Sequence, residues 1–61
     1  MTVYEMMKAL KHHPFKIVHH NDNITGDVGV FFEDVAEDEA KQFILELEVK
    51  HYDGVLDTIY C

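Results

Sequence analysis

A chain of 61 residues with 12 acidic side chains against 5 lysines and no arginine carries a formal charge of −7. That balance excludes binding of nucleic acid or an anionic membrane through a basic surface, and an apolar content of 48% excludes an acidic disordered tail. At this length, residues 1–61 form one small acidic domain, and such a domain buries only about 60% of its unfolded surface.

The first segment reads as a helix over Thr2–His12. Thr2 and Glu5 have the spacing of a capping box, in which each side chain satisfies a free backbone N–H. Val3, Met6, Met7 and Leu10 follow at helical intervals, and Lys8 and Lys11 lie toward the C-terminal end, where the macrodipole favours positive charge. Pro14 ends the helix by biasing His13 away from α geometry. Phe15–His20 then alternates as a strand, with Phe15, Ile17 and His19 on one side. Turn signals at Asn21-Asp22-Asn23 and Thr25-Gly26-Asp27 separate it from Val28–Phe32, the most β-like run. The two strands are expected to pair as an antiparallel hairpin, with Gly29 marking a bulge or a close backbone approach.

From Asp34 onward two patterns compete. Asp34 and Glu37 repeat the capping-box spacing, apolar residues follow at helical intervals, and Glu37–Lys41 and Glu46–Lys50 are favourable i,i+4 pairs. These features predict one helix from about Val35 to Tyr52, capped by Asp53-Gly54, and then a strand over Val55–Tyr60. The resulting fold is α+β, a small two-layer domain in the order α-β-β-α-β. Its three-stranded sheet is covered on one face by helices, with a right-handed crossover into the last strand. Against this, Leu45–Lys50 alternates as a half-buried strand would, and Asp53-Gly54 is also a hairpin signal. The alternative order is α-β-β-α-β-β, with a short helix ending near Ile44 and a C-terminal hairpin that sets Lys50 opposite Asp57.

The charge is unevenly placed. Residues 1–20 hold three lysines, one glutamate and four of the five histidines. Residues 21–40 hold seven acids (Asp22, Asp27, Glu33, Asp34, Glu37, Asp38 and Glu39) and no lysine, so the whole net charge resides there. Acids near a helix start complement its dipole, and acids in loops keep a small domain soluble. The functional alternative is a patch that docks on a basic protein surface, standing in electrostatically for a phosphate backbone. The seven acids are the candidate partner-binding residues.

Chemistry-bearing patterns are sparse. His12-His13 and His19-His20 are adjacent pairs whose members diverge, so each pair offers about one metal ligand and no standard spacing is present. Capping of the helix end by His12 and His13, and an exposed strand end for His19 or His20, explain them without a metal. There is no serine, no phosphate-binding glycine loop, and no fixed base for a Cys61 nucleophile, so neither an enzyme nor a cofactor is expected. The single cysteine precludes an intramolecular disulfide and fits a thiol-reducing cytoplasm, and no apolar run reaches the roughly 18–20 residues of a membrane span. Tyr4, Tyr52 and Tyr60, with Phe31 and Met7, are candidates for an interaction surface. Core packing is the stronger expectation for Phe15, Phe31, Phe32 and Phe43.

These features point to a non-enzymatic acidic module that inhibits or regulates a larger protein with a basic surface, such as a nucleic-acid groove, in the cytoplasm, or in the host cytoplasm if viral. The chain has the general look of a phage or mobile-element accessory protein, with no motif carrying that likeness. The alternatives are a structural subunit that forms a homodimer and a His-based metal binder. No direct contact with nucleic acid or membrane is expected.

Overall fold

Thr2 begins the first helix as its spacing predicts. Its N–H donates to Glu5 Oε1 at 2.9 Å, and the Glu5 N–H donates to Thr2 Oγ1 at 3.2 Å, closing the capping box. The computed structural model describes all 61 residues, and in it this helix, α1, spans Val3–Ala9 with Val3 and Met7 buried. It is shorter than the predicted Thr2–His12. The chain turns tightly after Ala9, with the His13 N–H donating to the Leu10 carbonyl at 2.9 Å. Pro14 requires His13 to leave α geometry, and the turn delivers Phe15 into the core at 0% exposure.

Strand β1, Lys16–His19, pairs antiparallel with a two-residue strand β2, Asp22–Asn23. His20 and Asn21 connect them at φ values of 49° and 67°. Positive φ at both central residues is the signature of a type I′ turn, whose twist matches that of a hairpin. The predicted turn Asn21-Asp22-Asn23 is therefore shifted by one residue, and the predicted partner strand Val28–Phe32 is displaced. That run contributes one isolated antiparallel bridge, Phe15 to Val30, with N–H···O distances of 2.8 and 2.7 Å. The close approach predicted at Gly29 is present, since a Cβ there would stand 3.0 Å from the Pro14 Cβ.

Helix α2 spans Phe32–Glu37, starting three residues before the predicted Val35 and ending far short of Tyr52. Asp34 is its third residue rather than its N-cap, accepting the Phe31 N–H at 2.9 Å. Asp38 ends it: Oδ1 accepts the Ala40 N–H at 3.0 Å, a local turn that competes with helix continuation. The pairs Glu37–Lys41 and Glu46–Lys50 do not form, and Lys41 lies 3.8 Å from Asp38 instead. A 3₁₀ helix, Gln42–Glu46, follows and buries Ile44. The alternation at Leu45–Lys50 survives as burial, with Leu45, Leu47 and Val49 half-buried and Glu46, Glu48 and Lys50 exposed. An antiparallel bridge joins Glu48 to Thr2, tying this segment to the start of α1.

Strands β3, His51–Asp53, and β4, Thr58–Tyr60, form a C-terminal hairpin, so the element order is that of the alternative reading. Asp53 Oδ1 accepts the N–H groups of Val55 and Leu56 at 3.0 and 3.2 Å, which makes Asp53-Gly54 a turn start rather than a helix cap. Val55 and Leu56 are consequently exposed turn residues, at 90% and 55%, and not strand. The register sets Asp53 opposite Thr58, and the Lys50 N–H reaches the Tyr60 carbonyl rather than facing Asp57.

The result is an α+β domain with a four-stranded mixed sheet in the order β2-β1-β4-β3. The predicted crossover from Val28–Phe32 into the last strand starts instead from β1, because the parallel pair is β1 with β4, Ile17 opposite Ile59. Phe15, Ile17, Ile59 and Cys61 from the sheet meet Val3 and Met7 of α1, Val35 of α2 and Ile44 in one core of eight buried side chains. A chain of this size has a total stability of about 3–9 kcal/mol, and truncating a buried Phe costs about 3–5 kcal/mol. Phe15→Ala should therefore leave little or no cooperative transition in urea. Gly29→Ala, which presses a methyl group on the rigid Pro14 ring, should lower the midpoint by an amount equivalent to about 1–3 kcal/mol with the slope unchanged.

Candidate partner-binding face

The seven acids of residues 21–40 lie at the surface, six exposed and Asp38 half-buried. Asp22 is on the edge strand β2 and Asp27 in the loop after Gly26, whose φ of 67° turns the chain. Glu33 and Asp34 occupy the first turn of α2, Glu37 its last position, Asp38 its C-cap and Glu39 the turn beyond. The structure thus gathers Glu33 to Glu39 along one short helix and its exit, whereas Asp22 and Asp27 belong to a separate segment. Asp34 and Asp38 are engaged with backbone N–H groups, and Asp38 also has Lys41 nearby. Asp22, Asp27, Glu33, Glu37 and Glu39 make no hydrogen bond or ion pair within the chain. Backbone capping accounts for Asp34 and Asp38 and the helix dipole favours Glu33 in the first turn, which leaves Asp22, Asp27, Glu37 and Glu39 without a local structural role.

Beside α2 lies a cleft of about 300 Å³ lined by Tyr4, Phe32, Ala36, Gln42, Leu45 and Glu46. Its walls are pinned. The Tyr4 and Phe32 rings meet edge-on with centroids 5.5 Å apart, and Lys8 Nζ donates to the Tyr4 hydroxyl at 2.8 Å. Gln42 Nε2 donates to the Ala36 carbonyl at 2.6 Å, tying the 3₁₀ helix to the last turn of α2. Sequence reading missed this cleft because it assigned Phe32 to a strand and carried one helix through residues 38–41. The surviving signal was the i,i+4 spacing of Phe32 and Ala36, which would line one helix face.

The aromatic and sulfur side chains divide differently from expectation. Met7 is fully buried and is core, not surface, while Phe31 and Phe43 are 41% and 50% exposed and are not core. Phe15 is core as expected, Phe32 is half-buried, Tyr4 is exposed, and Tyr52 and Tyr60 are half-buried.

The histidines are dispersed into separate contacts rather than joined. His13 Nε2 lies 3.3 Å from Asp57 Oδ1, which also accepts the Tyr52 hydroxyl at 3.3 Å, and His13 Nδ1 is buried without a partner. The expected helix-end cap by His13 is thus replaced by a link to the β3–β4 turn. His19 Nδ1 is 3.1 Å from the Cys61 carbonyl, and its ring lies 3.9 Å from that of His20. No three or more His, Cys, Asp or Glu side chains are placed to hold a metal ion. The Cys61 thiol is buried, which pushes its pKa up, with Lys50 opposing the shift. No helix is long and apolar enough to cross a membrane.

Burial foremost, with the Asp57 carboxylate adding to it, raises the Tyr52 phenol above its ordinary 10. A folded-state value above the unfolded one means the fold binds that proton more tightly, so stability falls as pH climbs from about 10 toward the raised value. Ultraviolet titration should show one of the 3 tyrosines ionising after the others. Asp57→Asn should bring it partway back, and simultaneous ionisation of all three in the wild type would contradict the contact. Compared with known protein families, curated proteins and solved structures, the chain matches none.

Proposed function

We propose that the chain is a non-enzymatic binding module whose acidic middle third docks on a basic surface of a larger protein and thereby inhibits or regulates it. The observation that carries this reading is the set of five carboxylates, Asp22, Asp27, Glu33, Glu37 and Glu39, with no partner in their own chain and no lysine between residues 21 and 40. Unpaired like charges on a small domain repel one another, and a cationic partner removes that cost while speeding encounter. Glu33 and Glu37, one helical turn apart, stand about 5–6 Å apart at Cβ, close enough to act as a row of charge on a surface built for phosphates. The mimicry is electrostatic, since a carboxylate lacks the geometry of a phosphate. The partner is a protein that itself binds nucleic acid, and a reducing cytoplasm is the setting such a module would share with it.

A second reading, a self-associating accessory subunit, draws support from the adjacent pair Val55 and Leu56, exposed at 90% and 55% in the β3–β4 turn. Sedimentation separates the two: a monomer at high micromolar concentration speaks against the subunit.

The docking reading is tested by capturing partners from cells of the source, identifying them by mass spectrometry, and titrating the purified partner in rising salt. Affinity should fall steeply with ionic strength, and Glu33→Lys with Glu37→Lys and Glu39→Lys should weaken it by about tenfold or more through slower association. Binding indifferent to both salt and charge reversal would sink the reading.

A further inference from the structure

We infer that the cleft between α1, α2 and the 3₁₀ helix is the anchor site for one large apolar side chain of the partner, presented on a segment that flanks it with lysine or arginine. This rests on the acidic-module reading and specifies where on that module the partner is gripped. At about 300 Å³ the cleft lies at the lower limit of ligand sites, room for a leucine or phenylalanine side chain rather than for a cofactor. Tyr4, Phe32, Ala36 and Leu45 make it apolar, and the edge-on ring contact together with the Gln42–Ala36 hydrogen bond fixes its walls relative to one another before anything binds. A preformed apolar cleft avoids the ordering cost that a collapsible one would carry.

The charge around the cleft selects the occupant. Glu46 lines one end. Glu33 and Glu37 follow the lining residues Phe32 and Ala36 by one position each on α2, and both are exposed and without ion pairs. Two cations adjoin the cleft: Lys8 on α1, which is engaged with the Tyr4 hydroxyl and lies 5.1 Å from its ring centroid, and Lys41 beside Gln42, which lies 3.8 Å from Asp38. One free carboxylate in the lining, Glu46, with Glu33 and Glu37 about 100° round α2 from the lining positions, against two committed amines, favours an apolar segment carrying cations and disfavours an acidic or phosphorylated one. A second copy of this chain offers Leu10 between Lys8 and Lys11. However, Leu10 is the C-cap of α1, the helix that supplies Tyr4 to the same cleft, and two molecules of charge −7 repel.

The probe is a capped peptide, Lys-Lys-Phe-Leu-Lys-Lys, and its control with Ser in place of Phe and Leu, titrated into isotope-labelled protein and followed by amide NMR. The first peptide should bind about tenfold or more tightly than the control, the difference one buried large side chain provides. Its shifts should centre on Ala36, Gln42 and Leu45. Ala36→Met, which fills the cleft, should erase the difference between the peptides while leaving the salt-dependent binding common to both. Glu33→Lys with Glu37→Lys should weaken both. Equal affinity for the two peptides, or shifts away from the cleft, overturns the anchor site, and neither result depends on a variant folding. If charge reversal still weakens both peptides in that case, the acidic module stands and the anchor alone fails. If charge reversal changes neither, both ideas fail together. Shifts of the cleft amides on concentrating the protein without peptide would assign the cleft to a second copy and overturn the inference.

Discussion

The parallel pairing of β1 with β4 is the constraint on which everything else rests. Each of these strands has a local antiparallel partner, β2 and β3, yet neither hairpin could stand alone in water. Joined through Ile17 and Ile59, both fully buried, they become one sheet with a face broad enough to receive α1, α2 and Ile44. The backbone reinforces the junction at both ends, where the Lys16 N–H reaches the Asp57 carbonyl at 2.8 Å and the Cys61 N–H reaches the Val18 carbonyl at 2.9 Å. Since the pairing joins residues some forty positions apart, its loop-closure entropy is met only when the core forms, which makes folding cooperative and comparatively slow.

What was legible in the sequence was local. Thr2 and Glu5 announce their capping box because the interaction spans three residues, and Phe15 and Ile17 announce an inward face because a strand has period two. The acidic segment is visible for the same reason, since charge needs no fold to be counted. The break at Asp38 was not legible: Glu37–Lys41 is a good helical pair on paper, but the Asp38 carboxylate offers the backbone a turn at that point, and no pattern ranks the two. The start of α2 was hidden as well. Its N-cap is Phe31, which brings no side-chain oxygen, and its box acid Asp34 resembles an N-cap itself. The cleft was out of reach because Tyr4, Phe32 and Leu45 come from three segments whose convergence depends on the long-range sheet.

The charge is divided along the chain. Lys8, Lys11 and Lys16 precede the hairpin turn at His20–Asn21, and every acid of the middle third follows it, so one tight turn separates the two electrostatic regimes. Asp57 makes the longest-range link of any acid but Glu48: one oxygen serves both His13 and Tyr52 and joins the α1–β1 connection to the β3–β4 turn. Glu5, Asp34, Asp38 and Asp53 accept backbone N–H groups and Glu48 binds the N-terminal ammonium, so the acids left to solvent are Glu46 and five of the middle third.

The sheet borders are short. One edge is the two-residue strand β2 with Asp22 on it, and the other is the three-residue strand β3 bearing Asp53. Neither offers a row of unpaired peptide groups long enough to template another strand, and a carboxylate sits on each. Recognition by backbone extension of the sheet is therefore closed to this protein, as is the runaway edge-to-edge stacking that burdens small β-rich chains. A partner of the proposed kind would be read through side chains, a mode that sets few demands on the secondary structure of the other molecule.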